Sequence, residues 1–179
     1  MCDCHDPKRR QLILASLMAG ALAACGQSGQ TETATLTPAE IEQGTACALD
    51  GMLLADYPGP KAQIHYAGVD KPDFFCDVIE LFSIYLRPEQ VRTVTAMYVQ
   101  DTSVVDWDQP TSGWIDAKSA WYVVGSHKRG AMGPTFAPFS KEADARTFAQ
   151  QHGGEVVRFA DVTPDMATLD GGALHDHSM

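Results

Sequence analysis

No uninterrupted apolar run in the 179 residues reaches the roughly 18 that a membrane-spanning helix needs. Basic residues are scarce: 13 Lys and Arg stand against 23 Asp and Glu, for a formal net charge of −10. No face can carry the dense positive charge that grips a phosphate backbone, so nucleic acid is not an expected partner. The usual marks of catalysis are missing too. There is no Gly-x-Ser-x-Gly elbow, no phosphate-cradling Gly-rich loop and no His-Glu-x-x-His helix, so an enzyme is not expected. Disorder is excluded by the other half of the composition, with 45% hydrophobic and 20% charged residues. The length suits one domain or two small ones.

Cysteine is sparse, and processing makes it sparser. Lys8, Arg9 and Arg10 precede a short apolar run from Leu12 to Ala24, and Leu22-Ala23-Ala24-Cys25 resembles a bacterial lipobox. Residues 1–24 therefore read as a lipoprotein export signal, cleaved before Cys25, whose sulfur is then acylated and anchors the chain to a lipid bilayer. Cleavage removes Cys2 and Cys4 along with three basic and two acidic residues, so the exported chain is still more acidic. Cys47 and Cys76 are left as the possible thiols. Two cysteines in an oxidising compartment ordinarily form a disulfide, so a Cys47–Cys76 bridge competes with any metal-binding reading.

Residues 25–36 form the lipidated tether. Its polar stretch Gly26 to Thr35 spans about 16–19 Å as a flexible coil, which keeps the folded part near the membrane. The first structured unit is expected over 37–106. Thr37, Pro38 and Glu40 give a capping box for a short helix that Gly44 ends. Lys61 to Tyr66 and Phe74-Phe75 read as strands joined through the Gly68 turn. Cys76 to Leu86 places Val78, Leu81, Phe82 and Tyr85 at helical spacing before Pro88, and Val91 to Val99 is rich in β-formers. A second unit over 107–162 repeats the order. Strands are expected at Trp121 to Val124 and Thr135 to Phe139, then a helix from a Ser140 cap to about Gln151, then a strand at Glu155 to Phe159. Each half reads ββαβ, giving an α+β fold of two small related units packed together. Residues 163–179 read as a mobile tail.

Soft sulfur in loops is what stands out. Cys47-Ala48-Leu49-Asp50-Gly51-Met52 places a thiol and a thioether around an Asp-Gly turn, a donor pair that favours Cu(I). Met52 is equally readable as the start of a buried stretch with Leu53 and Leu54. Met132 lies among turn-formers in Gly130-Ala131-Met132-Gly133-Pro134, where it is either a ligand or a lid on the core. His127 sits on a polar turn and offers an imidazole or a solvated side chain. Cys76 opens a helix, whose N-terminal end favours the thiolate, as a ligand, a reactive thiol or half of a disulfide. Met97 reads as core, His65 has an undetermined face, and His175-Asp176-His177-Ser178-Met179 offers loose metal contacts in the tail.

Taken in order, Cys47…Gly51-Met52, Pro58-Gly59-Pro60-Lys61-Ala62-Gln63, Phe75-Cys76, Asp116 to Ser126 (DAKSAWYVVGS), Arg129-Gly130-Ala131-Met132-Gly133, Pro138-Phe139 and Gly153-Gly154 resemble the NosL family. The resemblance covers roughly Cys47 to Val162 and the lipobox. It implies a fold of two ββαβ units, similar to a repeat in the organomercurial lyase MerB. It implies a periplasmic, membrane-anchored copper chaperone, with the outer membrane as its expected address. The cargo would be Cu(I), delivered to apo nitrous oxide reductase for its copper centres, with an ABC-type membrane transporter complex as a partner. Carried over by position, the candidate ligands are Cys47, Met52 and Met132. Many members read Cys-x-x-Cys-Gly-Met at the first of these motifs, whereas here Asp50 stands at the second cysteine position, which removes one soft ligand from that loop. The rival reading is a non-metal assembly or binding lipoprotein held by a Cys47–Cys76 disulfide.

Overall fold

The computed structural model describes residues 36–169. The export signal, Cys25, most of the tether and the His175–Met179 segment lie outside the described residues. Among the described residues, no helix is long and apolar enough to cross a membrane.

Strand β1 (Ala62–Tyr66) follows the Pro58-Gly59-Pro60 turn and is buried along its whole length. Five consecutive buried residues mean that both faces of the strand are covered. It pairs antiparallel with β2 (Asp73–Phe75) on one side and β3 (Val94–Gln100) on the other, with a register shift at His65/Tyr66. Helix α1 (Val78–Tyr85) carries the chain from β2 to β3 and buries Val78, Ile79, Leu81 and Phe82. A strand not anticipated from the sequence, β4 (Trp114–Asp116), extends this sheet, whose order is β2-β1-β3-β4. Three residues with one aspartate give too short a pattern to read as a strand; pairing with β3 makes it one.

The second half runs β5 (Trp121–Val124), a small hairpin of β6 (Arg129–Gly130) and β7 (Gly133–Pro134), β8 (Ala137–Phe139), α2 (Glu142–His152) and β9 (Glu155–Arg158). Its three-stranded sheet has the order β8-β5-β9, all antiparallel. The first sheet's β2-β1-β3 has the same topology: the first strand is central, the second and third flank it, and the helix connects the flankers. The repeated ββαβ order expected from the sequence is therefore present in strand order as well as in sequence order. The two halves are joined by backbone: Thr102 N–H donates to Pro138 O at 2.8 Å, and Ser140 N–H to the Asp101 carboxylate at 3.2 Å.

One core serves both halves. Ile64, Phe75, Leu81, Phe82, Met97 and Val99 from the first pack with Tyr122, Val124, Phe136 and Val157 from the second. Phe82 meets Tyr122 edge-on with centroids 5.1 Å apart and also touches Phe136 and Phe159. Met97 is buried, as its β-rich surroundings suggest.

Three local expectations fail. The Thr37–Gly44 helix does not form, despite its capping box. The segment runs without helix because the buried Gln63 side chain takes both backbone groups of Ala39, donating to its carbonyl at 2.9 Å and accepting its N–H at 2.8 Å. The Tyr98 hydroxyl also donates to Leu36 O. A tertiary clamp on three backbone groups outweighs the small propensity of an eight-residue helix. Helix α2 starts at Glu142 with Lys141 at the cap, one residue after Ser140, whose N–H donates to Asp101. The tail assignment fails over 163–169: Val162 and Ala167 are buried in the common core, Leu169 packs against it, and Ala167 N–H closes turns onto Thr163 O and Pro164 O.

Candidate metal centre

Cys47 and Cys76 arrive from different elements and meet. Cys47 starts a tight loop closed by its own backbone: its N–H donates to Met52 O at 2.8 Å, and Gly51 N–H returns to Cys47 O at 2.9 Å. Gly51 has φ +79°, a left-handed turn position that suits glycine, and Asp50 Oδ1 accepts Met52 N–H at 2.9 Å. Ala48 N–H pins the loop to Phe74 O at 2.7 Å, beside the end of β2. Cys76 leaves β2 and enters α1 through its cap residue, Asp77. Both cysteines are free thiols and almost fully buried, at 3% and 0% exposure.

A single carboxylate oxygen organises the pair. Glu80, in the first turn of α1, accepts the Asp77 N–H at 3.1 Å as the return arm of a capping box. The same Oε2 accepts the Cys47 thiol at 3.4 Å and the Cys76 thiol at 3.3 Å. Asp50 Oδ2 lies 3.9 Å from Cys76 Sγ. The donor atoms of Cys47, Asp50, Cys76 and Glu80 all lie within 4.8 Å of one another, with Asp50 at the exposed edge and the other three buried. A metal–thiolate bond of ~2.3 Å, as in zinc sites, lets two sulfurs up to ~4.6 Å apart share one ion. The pair thus suits a soft cation, with a carboxylate oxygen within hydrogen-bond reach of both sulfurs.

The protonation pattern reverses one expectation. The helix N-terminus was expected to make Cys76 the thiolate. Instead Cys76 is pushed strongly up, first by its hydrogen bond to Cys47 and then by burial and the negative charge of Glu80. Cys47 is lowered, chiefly because the Cys76 thiol donates to it, with the Leu49 N–H adding a contact at 3.4 Å. The helix-end effect is worth at most a few kcal/mol, and burial beside carboxylates exceeds it. Of the two, Cys47 gives up its proton more readily and Cys76 holds its own more tightly.

Two buried charges lie under the pair, and neither was singled out from the sequence. Lys61 is fully buried, and its ammonium donates to the carbonyls of Tyr57 at 2.8 Å, Pro58 at 3.0 Å and Cys76 at 3.1 Å. Burial pushes its pKa down, against the pull of Asp77, Cys76, Glu80 and Cys47. Asp77 is pushed up to about 7, mainly by burial, with the Met132 N–H working against the shift. A readable signal existed in Asp77-Val78-Ile79-Glu80, an Asp-x-x-Glu capping pattern directly after Cys76.

Met52 is half-buried and packs on the cluster of Cys47, Leu54 and Cys76, together with Ile41, Phe74 and Ala131. Met132 is at the tip of the β6–β7 hairpin and 36% exposed, next to Ala131, which touches that cluster. His127 is not brought to it. Its ring lies against Gly153 beyond the end of α2, its N–H donates to His152 O at 2.8 Å, and the side chain is exposed. The β5–β6 turn carries it to the opposite end of the second sheet's helix, which is why its nearness to Met132 in sequence does not bring it to the cysteines.

Together these features define a small α+β lobe with a buried thiol pair roofed by methionine-bearing loops. The NosL family model matches residues 38–167, and the chain belongs to that family. It is 37% identical over 172 residues to a copper-binding lipoprotein NosL of Stutzerimonas stutzeri, covering 93% of this chain and 88% of that one. It is 38% identical over 154 residues to a copper-binding lipoprotein NosL of Achromobacter cycloclastes, covering 84% of this chain and 80% of the other. Among solved structures, that of the copper chaperone NosL from Shewanella denitrificans superposes with a TM-score of 0.69 at 40% identity, covering 73% of this chain and 97% of that one. These relatives are named for carrying copper and not for a catalysed reaction.

Proposed function

We propose that this chain is a lipid-anchored periplasmic metallochaperone that binds Cu(I) and delivers it to nitrous oxide reductase during assembly of its copper centres. The observation that carries the reading is the convergence of Cys47 and Cys76, two buried free thiols whose sulfurs lie within one ion's reach. Thiolates and thioethers are the donors that favour Cu(I) over harder cations. Cys47 and Cys76 are the anchoring ligands in this account, with Met52 beside them and Met132 supplied from the hairpin. Binding displaces a thiol proton to solvent, and Glu80 Oε2 is the hydrogen-bond acceptor in contact with both sulfurs. The exposed Asp50 edge gives an incoming partner a side from which to add its own ligand before a cysteine lets go. Apo nitrous oxide reductase and an ABC-type membrane transporter complex are the proposed partners. The lipidated Cys25 would hold the exchange at the membrane, with the outer membrane as the proposed address.

The test is anaerobic Cu(I) titration of the soluble domain against a competing chelator, for the parent and for Cys47→Ser, Met52→Ala and Met132→Ala. Each loss of a sulfur ligand should weaken binding by about tenfold or more, with Cys47→Ser the most severe. Unchanged binding in all three variants refutes the site. Copper transfer from the loaded domain to apo nitrous oxide reductase tests delivery, and failure to transfer would leave a copper binder without that role. Thiol titration of the unreduced domain tests the disulfide rival, which requires that no free thiol be found.

A further inference from the structure

The β6–β7 hairpin pairs only two residues on each side, too few to hold its own position. Yet it carries Met132 at its tip. At its tip, its place is set by one buried side chain from the other half. Asp77 Oδ1 accepts the Ala131 N–H at 3.1 Å and Oδ2 accepts the Met132 N–H at 2.6 Å. Asp77 is fully buried, so both bonds are shielded from water. The fit leaves no slack: a Cβ on Gly130 would sit 1.9 Å from Asp77 Oδ1, and one on Gly59 would sit 2.8 Å from Gly130 Cα. At the far strand, Trp107 Nε1 donates to Arg129 O at 3.0 Å.

Asp77 also adjoins Cys76 in the chain, and its own N–H is held by the Glu80 oxygen that accepts both thiols. A continuous run of short bonds thus links the two sulfurs to the Met132 backbone. We propose that Asp77 is a positioning residue that latches the Met132 hairpin over the thiol pair, so that the thioether can swing onto a bound Cu(I). The idea rests on the reading of Met132 as a ligand given above. Asp77 itself touches no ion. Its two carboxylate oxygens fix the backbone, and the three rotatable bonds of methionine supply the remaining motion.

The test is a double-mutant cycle in Cu(I) affinity, read by chelator competition on Asp77→Asn, Met132→Ala and the double variant. Asparagine keeps the shape but turns an amide towards one of the two N–H donors. Asp77→Asn should weaken Cu(I) by about tenfold, close to Met132→Ala, and the double variant should be no weaker than either single one. A general loss of negative charge beside Cys76 would instead multiply with Met132→Ala. In the metal-free domain, hydrogen exchange at the Met132 amide should be slow in the parent and fast in Asp77→Asn. Should Asp77→Asn fail to fold, Trp107→Phe removes the hairpin's other anchor away from the cysteines; it should weaken binding in the parent but not in the Met132→Ala background. Parent-like affinity in Asp77→Asn, or effects that multiply, overturns the latch. If Met132→Ala alone leaves affinity unchanged, the ligand reading fails and the latch falls with it.

Discussion

Cys47 Sγ and Cys76 Sγ both lie within hydrogen-bond reach of one oxygen of Glu80, so ligation of an ion by the two sulfurs would have to displace thiol protons held in that shared network. Cys76 is held protonated well above the ordinary cysteine value while Cys47 is lowered, so ligation by both sulfurs must release at least the Cys76 proton at neutral pH. Protons therefore compete with the ion. Cu(I) affinity should fall as pH falls, about tenfold per pH unit for each proton displaced. Measured between about pH 6 and 8, a slope of at least one decade per unit is expected, and a flat profile would remove Cys76 from the ligand set. At this scale the sequence was a partial guide. The Cys47–Met52 loop was legible because its Asp-Gly turn is a local signal. Which cysteine gives up its proton more readily was not, because that depends on Glu80 and burial, which only the folded chain brings to Cys76. The site's buried Lys61 and Asp77 were hidden for the same reason: nothing local separates a buried charge from a solvated one.

The elements show the same division between local and tertiary control. Helix α1 was readable from periodicity, since it buries a face of Val78, Ile79, Leu81 and Phe82, and the strands around it from their β-forming runs between turn residues. The 37–44 helix was misread because Gln63, some two dozen residues away, claims the backbone of Ala39. The hairpin that carries Met132 was seen only as a Gly-rich turn, since two-residue strands leave no pattern. Its fit against Asp77 makes a sharp prediction. Gly130→Ala would drive a methyl into Asp77 Oδ1, so the hairpin must shift away. The variant should lose about 1–3 kcal/mol of stability by denaturant unfolding and bind Cu(I) more weakly. Parent-like stability and affinity would show that the close approach is not constraining.

Among the described residues, the two ββαβ units share a strand order and a common core, while the second keeps a further cluster of its own in Val123, Ala137, Phe139 and Ala145. Phe82 belongs to the first unit and touches Tyr122, Phe136 and Phe159 of the second. Phe82→Ala should therefore cost about 3–5 kcal/mol and leave one cooperative unfolding transition, not two. Separate transitions for tryptophans of the two sheets, Trp114 and Trp121, would mean that the halves are independent. The repeat was legible in the sequence as a recurring order of elements. The shared core was not, because hydrophobic periodicity says which face is buried and not against what. In the proposed site, that shared core would let one unit supply the cysteines and the other supply Met132. The most direct test of the account is X-ray absorption at the copper edge of the anaerobically Cu(I)-loaded domain, for the parent and for Cys47→Ser. The account predicts a shell of sulfur atoms near ~2.3 Å that loses a scatterer in the variant. A shell dominated by nitrogen or oxygen, or one unchanged by Cys47→Ser, would contradict it.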